Sequence, residues 1–268
     1  MKFSIITVNY NNKDGLQRTI ESVINQTFRD YEFIVIDGGS FDGSVDVLNK
    51  YNEHITYWIS EPDGGIYQGM NKGISKAKGD YLNFMNSGDC FFDTFVLQDV
   101  ASMNLYQDII VGRDYHFCPK QEKGFATILP TRTSMITLYM QALPHQSTFY
   151  KSTLFSNSLY DESLKLVADH KFNIQKICVD NSQVIYINRV ICLRESGGLS
   201  DSNQALSSKE SSKVLEQFLP KGVIKDYKTL SYLGKPTVYK LMNECENENA
   251  RKILIICIKI IDKLFNCK

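Results

Sequence analysis

Several patterns that identify common protein classes are missing from this chain of 268 residues. Basic and acidic residues balance at 30 each, so the net charge gives no electrostatic case for nucleic acid as a partner. The 7 cysteines contain no CxxC pair, which argues against a disulfide framework and against a zinc site. Neither a GxxxxGK[ST] loop nor a GxGxxG turn after the first strand occurs, so a P-loop and a dinucleotide site are disfavoured.

Signals for export and for membrane insertion are missing as well. The first residues, KFSIITV, run directly into a strand-like pattern without the charged region and cleavage site of a signal peptide. The longest uncharged run of the apolar C-terminus, 253–258, is far shorter than the ~20 residues of a spanning helix. We therefore expect a cytoplasmic chain.

Strand and helix patterns alternate through the first third of the sequence. Apolar runs that begin at Phe3, Tyr31, His54 and Tyr81 are separated by segments with helical periodicity. This alternation predicts an α/β fold with a mostly parallel central sheet flanked by helices. A hydrophobic content of 43% is sufficient for a globular core.

Each of these runs ends in a polar, glycine-rich segment. The four segments are NYNN, DGGSFDG, SEPDGG and NSGD, with carboxylates at Asp37, Asp63 and Asp89. Because the carboxyl ends of parallel strands meet at one edge of a sheet, we expect a single ligand site there. A carboxylate beside Gly88 suits a hard divalent cation that holds phosphate oxygens.

The later chain is less regular. It predicts a helix over about 91–103, a strand at Asp108–Gly112, a helix after Asp169 and late strands at Val184–Ile187 and Val190–Leu193. We assign residues 1–200 to one domain and 201–268 to a helical extension. Within the extension, 250–268 is a basic amphipathic helix, which favours equally an interfacial membrane anchor and a helix packed on protein.

Five ordered motifs, strand–NYN, VIDGGS, EPDGGIY, GDYLNFMNSGD and PHQSTFY, together resemble those of family 2 glycosyltransferases. These are enzymes of the GT-A fold that build bacterial surface polysaccharides. The resemblance covers roughly residues 1–200. It implies a GT-A fold with a helical C-terminal extension.

The resemblance also implies roles for particular residues. It places nucleotide binding at Val8, Asn9, Tyr10, Asp37, Asp63, Asn86 and Ser87, and the metal ligand at Asp89. It places the general base at Asp169, the acceptor or sugar side at His145, Gln146 and His170, and a mobile loop at Gly197, Gly198 and Ser200. Three positions depart from the family pattern: Val8 replaces a common Pro, Gly38 replaces a second Asp, and Asn86 replaces the usual first carboxylate.

The implied activity is an inverting transfer of sugar from a nucleotide-diphosphate donor, expected to be UDP-linked. The acceptor is a hydroxyl of a growing or lipid-linked glycan. A divalent cation, Mn²⁺ or Mg²⁺, neutralises the leaving diphosphate, and an Asp base takes the proton of the acceptor. A lipid-linked acceptor agrees with peripheral contact of 250–268 with the inner face of the membrane.

Two other functions remain open at this point. A sugar-1-phosphate nucleotidyltransferase also uses an α/β nucleotide site, although NYNNKDG matches its basic glycine-rich loop poorly. A non-catalytic nucleotide- or sugar-binding module is allowed because Asn86 lacks a carboxylate. Asp169 could instead cap the helix that follows it, and His145 could be a hydrogen-bonded structural residue.

Overall fold

The computed structural model describes residues 2–118, 123–130, 132–195, 203–244, 247–253 and 255–256. The chain forms two compact units, Met1–Phe218 and Leu219–Lys268. The helix Gln204–Phe218 therefore belongs to the first unit. The assignment of separate roles to residues 1–200 and 201–268 stays a prediction.

One sheet runs through the described part of the first unit. Its strands are β1 Phe3–Asn9, β2 Tyr31–Asp37, β3 Tyr57–Ser60, β4 Tyr81–Phe84, β5 Cys90–Phe91, β6 Ile109–Cys118, β7 Lys123–Ala126, β8 Thr148–Lys151 and β9 Val184–Glu195. They are ordered β3-β2-β1-β4-β8-β6-β9-β5, and β7 pairs with β6.

Helices connect the strands. In the first unit they are α1 Lys13–Ile24, α2 Ser44–Lys50, α3 Ile66–Lys76, α4 Val96–Ser102, α5 Met135–Met140, α6 Ala168–Ile174 and α7 Gln204–Phe218. The second unit has α8 Lys221–Ser231 and α9 Lys235–Glu244. Within the described ranges, none of the helices has the length and apolar character needed to cross a membrane.

The first four strands are parallel, as the sequence predicts. Their register aligns Asn9 with Asp37 and Asp37 with Ser60. The polar segments that follow these strands therefore leave the sheet at the same edge. The sequence-based expectation of a single ligand edge rests on this register.

The second half of the sheet is mixed rather than parallel. Strand β8 pairs antiparallel with both β4 and β6, whereas β6 and β9 are parallel. Strand β9 is continuous where the sequence predicts two strands, and β6 extends well beyond the predicted Asp108–Gly112. Register shifts around Arg113 accommodate this long pairing. The predicted helix over 91–103 begins only at Val96, because Cys90–Phe91 form β5.

Helix α1 shows why these residues fold as they do. The Asn12 side chain accepts a hydrogen bond from the Gly15 N–H at 3.2 Å and so caps the first turn. Leu16, Ile20 and Val23 recur at helical spacing on one face and are completely buried in the main core. The core is continuous with the apolar side chains of the sheet, so α1 is fixed beside the ligand edge.

A buried carboxylate organises the beginnings of the strands. Ser4 Oγ donates to Glu32 Oε1 at 2.6 Å, and the Gly79 N–H donates to Ser4 Oγ at 2.8 Å. A Cβ on Gly79 would lie 2.6 Å from the Ser4 backbone nitrogen. Only glycine allows this close approach of two backbone segments, which joins the end of α3 to the sheet.

Candidate active site

Asp37 ends β2 at the ligand edge and is completely buried. Its carboxylate accepts hydrogen bonds from Asn9 Nδ2 at 2.6 Å, Ser60 Oγ at 2.6 Å, Ser40 Oγ at 2.6 Å and the Ser40 N–H at 2.9 Å. Burial would raise the pKa of Asp37, but the donors of Ser40, Ser60 and Asn9 outweigh it and hold this pKa below its usual value. Asp37 is therefore an ionised carboxylate that orders three strand ends.

Tyr10 and Asp63 flank a small surface formed by Gly38. The Tyr10 side chain is 63% exposed, an unusual state for an aromatic residue beside buried strand ends. A Cβ on Gly38 would lie 3.3 Å from the Tyr10 ring and 3.3 Å from the Asp63 carboxylate. The structure therefore brings these two predicted nucleotide residues together around a position without a side chain.

Asp63 lies in the loop that leads from β3 into α3. Its Oδ1 accepts a hydrogen bond from the Gly65 N–H at 2.9 Å, and Gly65 has a φ of 128° that favours glycine. Val8 packs against the same helix, because a Cβ on Gly69 would lie 2.7 Å from Val8 Cγ1 and 3.3 Å from Asp63 Oδ2. Val8 therefore supports Asp63 by close packing against α3.

The loop after β4 is held from two sides. The Ser87 N–H donates to the Val8 carbonyl at 3.1 Å, and Asn12 Nδ2 donates to the Ser87 carbonyl at 3.0 Å. Thr19 Oγ1 donates to the Asp89 carbonyl at 2.7 Å. Each of these hydrogen bonds holds the loop through a backbone group, and none of them involves the Asp89 carboxylate.

The Asp89 carboxylate has the electrostatics of a cation ligand. Burial raises the pKa of Asp89 to about 6. The charges of His145 and Arg194 lower this pKa, and the charge of Asp114 raises it further, but burial is the largest cause. No hydrogen bond from the described residues contributes to this pKa. The described residues also contain no cluster of three or more His, Cys, Asp or Glu that could hold a metal. A single carboxylate without donors fits a divalent cation that takes its other ligands from phosphate and water.

Asp169 and His145 form a pair. His145 Nδ1 lies 3.2 Å from Asp169 Oδ2, and His145 Nε2 lies 3.2 Å from Asn86 Nδ2. On the other side, Tyr67 Oη donates to Asp169 Oδ1 at 2.7 Å. The structure thus connects the loop after β4, the 3-10 turn His145–Ser147, α6 and α3 through side chains alone.

The charges of this pair favour ionisation of both partners. Burial would raise the pKa of Asp169, but the hydrogen bond and charge of His145, with the hydroxyl of Tyr67, lower it. Burial would lower the pKa of His145, but the hydrogen bond and charge of Asp169, with the charges of Asp89 and Asp114, raise it. Asp169 lies inside α6, whose N-cap is Val167 without a side-chain cap, so helix capping does not explain Asp169.

His170 and Gln146 face the protein interior more than the site. His170 is 6% exposed, burial lowers its pKa, and its buried Nδ1 has no hydrogen-bond partner among the described residues. Gln146 is 3% exposed, and its backbone carbonyl accepts a hydrogen bond from Asn83 Nδ2 at 3.0 Å. Their placement on the acceptor or sugar side stays a prediction. Gly197, Gly198 and Ser200 lie outside the described residues.

Sequence reasoning missed two residues near this pair. Tyr67 contacts Asp169 across 102 positions of sequence, and Asp114, on β6, is 2% exposed and raises the pKa of Asp89. Tyr67 lies in the GGIY motif, but its apolar neighbours give it the pattern of a core residue. Asp114 comes two residues after the predicted strand Asp108–Gly112 and belongs to no recognisable motif. Only tertiary structure brings them to the site.

Comparisons with known proteins agree with this geometry. The model of the family described as Glycosyl transferase family 2 matches residues 4–163. An uncharacterized glycosyltransferase of Mycobacterium tuberculosis is 34% identical over 214 residues, which covers 75% of this chain and 78% of that protein. A PGL/p-HBAD biosynthesis glycosyltransferase of Mycobacterium bovis is 29% identical over 210 residues, covering 75% of this chain and 79% of that protein.

Two solved structures share the fold. S. aureus TarS 1-349 in complex with UDP-GlcNAc has a TM-score of 0.62 at 19% identity, over 76% of this chain and 61% of that one. Mannosyltransferase PcManGT from Pyrobaculum calidifontis, in complex with GDP-Man and Mn²⁺, has a TM-score of 0.63 at 10% identity, over 100% of this chain and 88% of that one. This chain thus spans less than two thirds of TarS 1-349. The predicted GT-A fold is confirmed.

Proposed function

Because this chain belongs to glycosyltransferase family 2 and is a glycosyltransferase, we propose that it moves a sugar from a nucleotide-diphosphate donor to a glycan hydroxyl with inversion. One observation carries this proposal. The described residues place a carboxylate without donors, Asp89, near a histidine–carboxylate pair, His145 and Asp169, and the charges of Asp89 and His145 affect each other's pKa. The chemistry needs a site for the leaving diphosphate and a base for the acceptor.

The nucleotide is proposed to bind at the ends of β1, β2 and β3. Tyr10 offers an exposed ring beside Gly38, which leaves space for a flat base. Asp37 and Asp63 offer carboxylates for the ribose and base, with Val8, Asn9, Asn86 and Ser87 around them. Since the protein already donates four hydrogen bonds to Asp37, a nucleotide must replace one of them, and Ser40 is the donor residue that lies in a loop and not at a strand end.

The diphosphate is proposed to lie at Asp89. Asp89 would hold Mn²⁺ or Mg²⁺ there, and the cation would supply neutralisation of the charge that develops on the leaving diphosphate. PcManGT, whose fold this chain shares, was solved with GDP-Man and Mn²⁺, which supports a divalent cation. The positive charges of His145 and Arg194 act on the same carboxylate and would also favour an anionic leaving group.

Asp169 is proposed as the general base. A base must be ionised before it accepts a proton, and the hydrogen bonds of His145 and Tyr67 keep Asp169 ionised near neutral pH. Each of its oxygens accepts one hydrogen bond and keeps a further lone pair for the proton of the acceptor. His145, Gln146 and His170 are proposed for the acceptor or sugar side, and Gly197, Gly198 and Ser200 for a loop that closes over the diphosphate.

We further propose that the second unit contacts the membrane on its inner face, where a lipid-linked acceptor would lie. Leu230 in the last turn of α8, and Tyr232 and Leu233 just after it, have exposed fractions of 38%, 80% and 48%. Ile253 and Ile256 are also exposed, and positions 257–268 lie outside the described residues. Deletion of 250–268 should reduce pelleting with anionic vesicles and leave nucleotide binding intact. Undiminished pelleting of the truncated protein would refute this proposal.

Thermal unfolding with UDP, GDP and dTDP, each with Mn²⁺ and with a chelator, tests the donor site. Ligand at about 100 times its dissociation constant adds about 2.7 kcal/mol, which raises the midpoint by about 5–10 °C. We expect a metal-dependent rise with UDP that is lost in Asp89→Ala. If none of the three nucleotides raised the midpoint, the proposed function would be contradicted. A rise with GDP alone would contradict only the UDP assignment.

Turnover then tests the base. Asp169→Asn should lower sugar transfer by about 10²–10⁴-fold and leave the nucleotide-dependent midpoint unchanged. Asp161→Asn is the control, because this carboxylate pairs with Lys171 at 2.7 Å and has no hydrogen bond to His145 or Tyr67. Equal losses in the two variants would exclude a specific role for Asp169.

A further inference from the structure

Tyr67 is a buried tyrosine whose hydroxyl meets the side chain of Asp169 and the backbone of Ala168 and Asp169 at the start of α6. It lies in the first turn of α3 and is 5% exposed, and its hydroxyl donates to Asp169 Oδ1 at 2.7 Å. Burial and the Asp169 charge raise the pKa of Tyr67 well above its usual value, so the hydroxyl keeps its proton. Tyr67 is therefore a permanent donor to this carboxylate.

The opposite oxygen of Asp169 is held by His145. His145 Nδ1 carries a proton directed at Asp169 Oδ2 both in the imidazolium form, which the raised pKa of His145 favours, and in the neutral tautomer whose Nε2 accepts from Asn86 Nδ2. The carboxylate is thus fixed at both oxygens by groups from two different elements. A carboxylate held at both oxygens cannot rotate about its terminal bond without breaking a hydrogen bond.

We propose that Tyr67 is a positioning residue that orients the Asp169 carboxylate for proton transfer, an inference that rests on the proposed function. As the acceptor oxygen bonds to the anomeric carbon, its proton passes to Asp169. The bond between that carbon and the diphosphate breaks, and its electron pair leaves with the diphosphate. Tyr67 donates throughout and gives up no proton.

The position of Tyr67 also connects the base to the donor side. Asp63 and Tyr67 lie on either side of Gly65, whose φ of 128° starts α3 abruptly after the loop. Asp63 accepts the hydrogen bond of the Gly65 N–H at 2.9 Å, so a change at Asp63 is transmitted to the first turn of the helix. Asp63, a proposed nucleotide residue, and Tyr67, which contacts the proposed base, are therefore joined by one short hydrogen-bonded segment.

Other titratable groups face Asp169 and must be separated from Tyr67 in any test. They are His145 from the 3-10 turn, His170 from α6 itself, Tyr150 from β8 and Tyr160 from the loop before α6. Tyr160 offers the matched control, because it packs against Tyr67 with ring centroids 5.6 Å apart and its buried hydroxyl has no hydrogen-bond partner within the described ranges. Tyr67→Phe and Tyr160→Phe remove the same atom from one cluster, and only the first loses a hydrogen bond.

The first readout needs no turnover. In the full chain labelled with ¹³C-carboxyl aspartate, the Asp169 signal is assigned by its loss in Asp169→Asn and titrated. We expect the Asp169 pKa to lie below the ordinary value in the wild type, to rise in Tyr67→Phe and to stay unchanged in Tyr160→Phe. An Asp169 pKa at or above the ordinary value in the wild type would overturn the proposal even if Tyr67→Phe does not fold.

The second readout is the pH profile of nucleoside diphosphate release from UDP-glucose, UDP-GlcNAc and GDP-mannose with Mn²⁺ and water as acceptor. Tyr67→Phe should lower kcat about 10-fold near neutral pH, which is part of the rate enhancement that a general base supplies. KM should stay unchanged, and the acidic limb of the pH–rate profile should move to higher pH. A uniform loss at every pH would mark a merely structural role and overturn the inference. Absence of release by the wild type would refute the proposed function, and this inference with it, whereas wild-type release with unmoved profiles would refute the inference alone.

Discussion

Replacing Asp89 by asparagine should make the metal-free protein more stable at pH 8. Burial raises the pKa of Asp89 to about 6 from an ordinary value of 3.8. At about 1.36 kcal/mol per pKa unit, ionisation of Asp89 costs the folded state about 3 kcal/mol. The pKa of Asp89 is higher in the folded state than in the unfolded state. The wild type is therefore free of this cost below pH 3.8, and its stability falls by the full amount as the pH rises through about 6. Asparagine has nearly the same shape and never ionises.

Thermal unfolding in the presence of a chelator measures this effect. At about 2–4 °C per kcal/mol, Asp89→Asn should melt about 6–12 °C above the wild type at pH 8 and about half as far above it at pH 5, where the unfolded carboxyl is already ionised and the folded one is still mostly protonated. Asp80→Asn, which removes an exposed carboxylate, is the control and should change neither midpoint. Addition of Mn²⁺ and UDP should reverse the order at pH 8, because only the wild type has the ligand for the cation.

The reasoning would be refuted by an Asp89→Asn variant that melts below the wild type at pH 8 with chelator. That result would mean that protein groups already stabilise the ionised carboxylate. Asp89 would then be a structural residue and a poor candidate for a cation. A stabilised variant that still binds nucleotide in a metal-dependent manner would confirm the electrostatics and assign the cation to another residue.

Three further predictions concern stability and binding. Asp37→Asn should cost about 1–3 kcal/mol of unfolding free energy above pH 4 and weaken the nucleotide-dependent midpoint shift, because Ser40 and other donors lose an ionised acceptor. Since the pKa of Asp37 is lowered in the folded state, this cost should shrink below pH 4, and a cost that is constant with pH would contradict the reasoning. Gly79→Ala should cost about 1–3 kcal/mol in urea unfolding, because its Cβ would lie 2.6 Å from the Ser4 nitrogen, and an unchanged midpoint would refute the close approach. Leu16→Ala should cost about 2–5 kcal/mol by the same assay, as Leu16 is completely buried, and a loss under about 1 kcal/mol would show that the core collapses around it.

In the C-terminal unit, the sequence pattern predicts a helix but does not determine what that helix contacts. The basic and apolar residues of 250–268 favour a membrane helix and a packed helix equally, and the described residues reach only position 256. Exposed apolar side chains such as Tyr232 support membrane contact without identifying the surface that they meet. Periodicity determines that a helix has an apolar face, and it does not determine what covers that face.

The sequence by itself determined the α/β fold and the sheet edge at which the candidate site lies. Apolar runs of strand length, separated by helical periodicity and followed by polar glycine-rich segments, allow few arrangements, because parallel strands with short crossovers must end at one edge. The family was also readable, since five motifs in order are far more specific than any one of them. These signals are local, and each depends on neighbours within a few positions.

Only the tertiary structure decided which side chains meet at that edge. Tyr67 and Asp169 are 102 positions apart, and Asp114 reaches the neighbourhood of Asp89 through the pairing of β6 with β8 and β9. The mixed pairing in the second half of the sheet could not be predicted from the sequence, because β8 pairs antiparallel with strands that are distant along the chain. Hydrogen bonds, burial and pKa arise from contacts across the fold, so a pattern can place a carboxylate at the site while its ionisation depends on the whole structure.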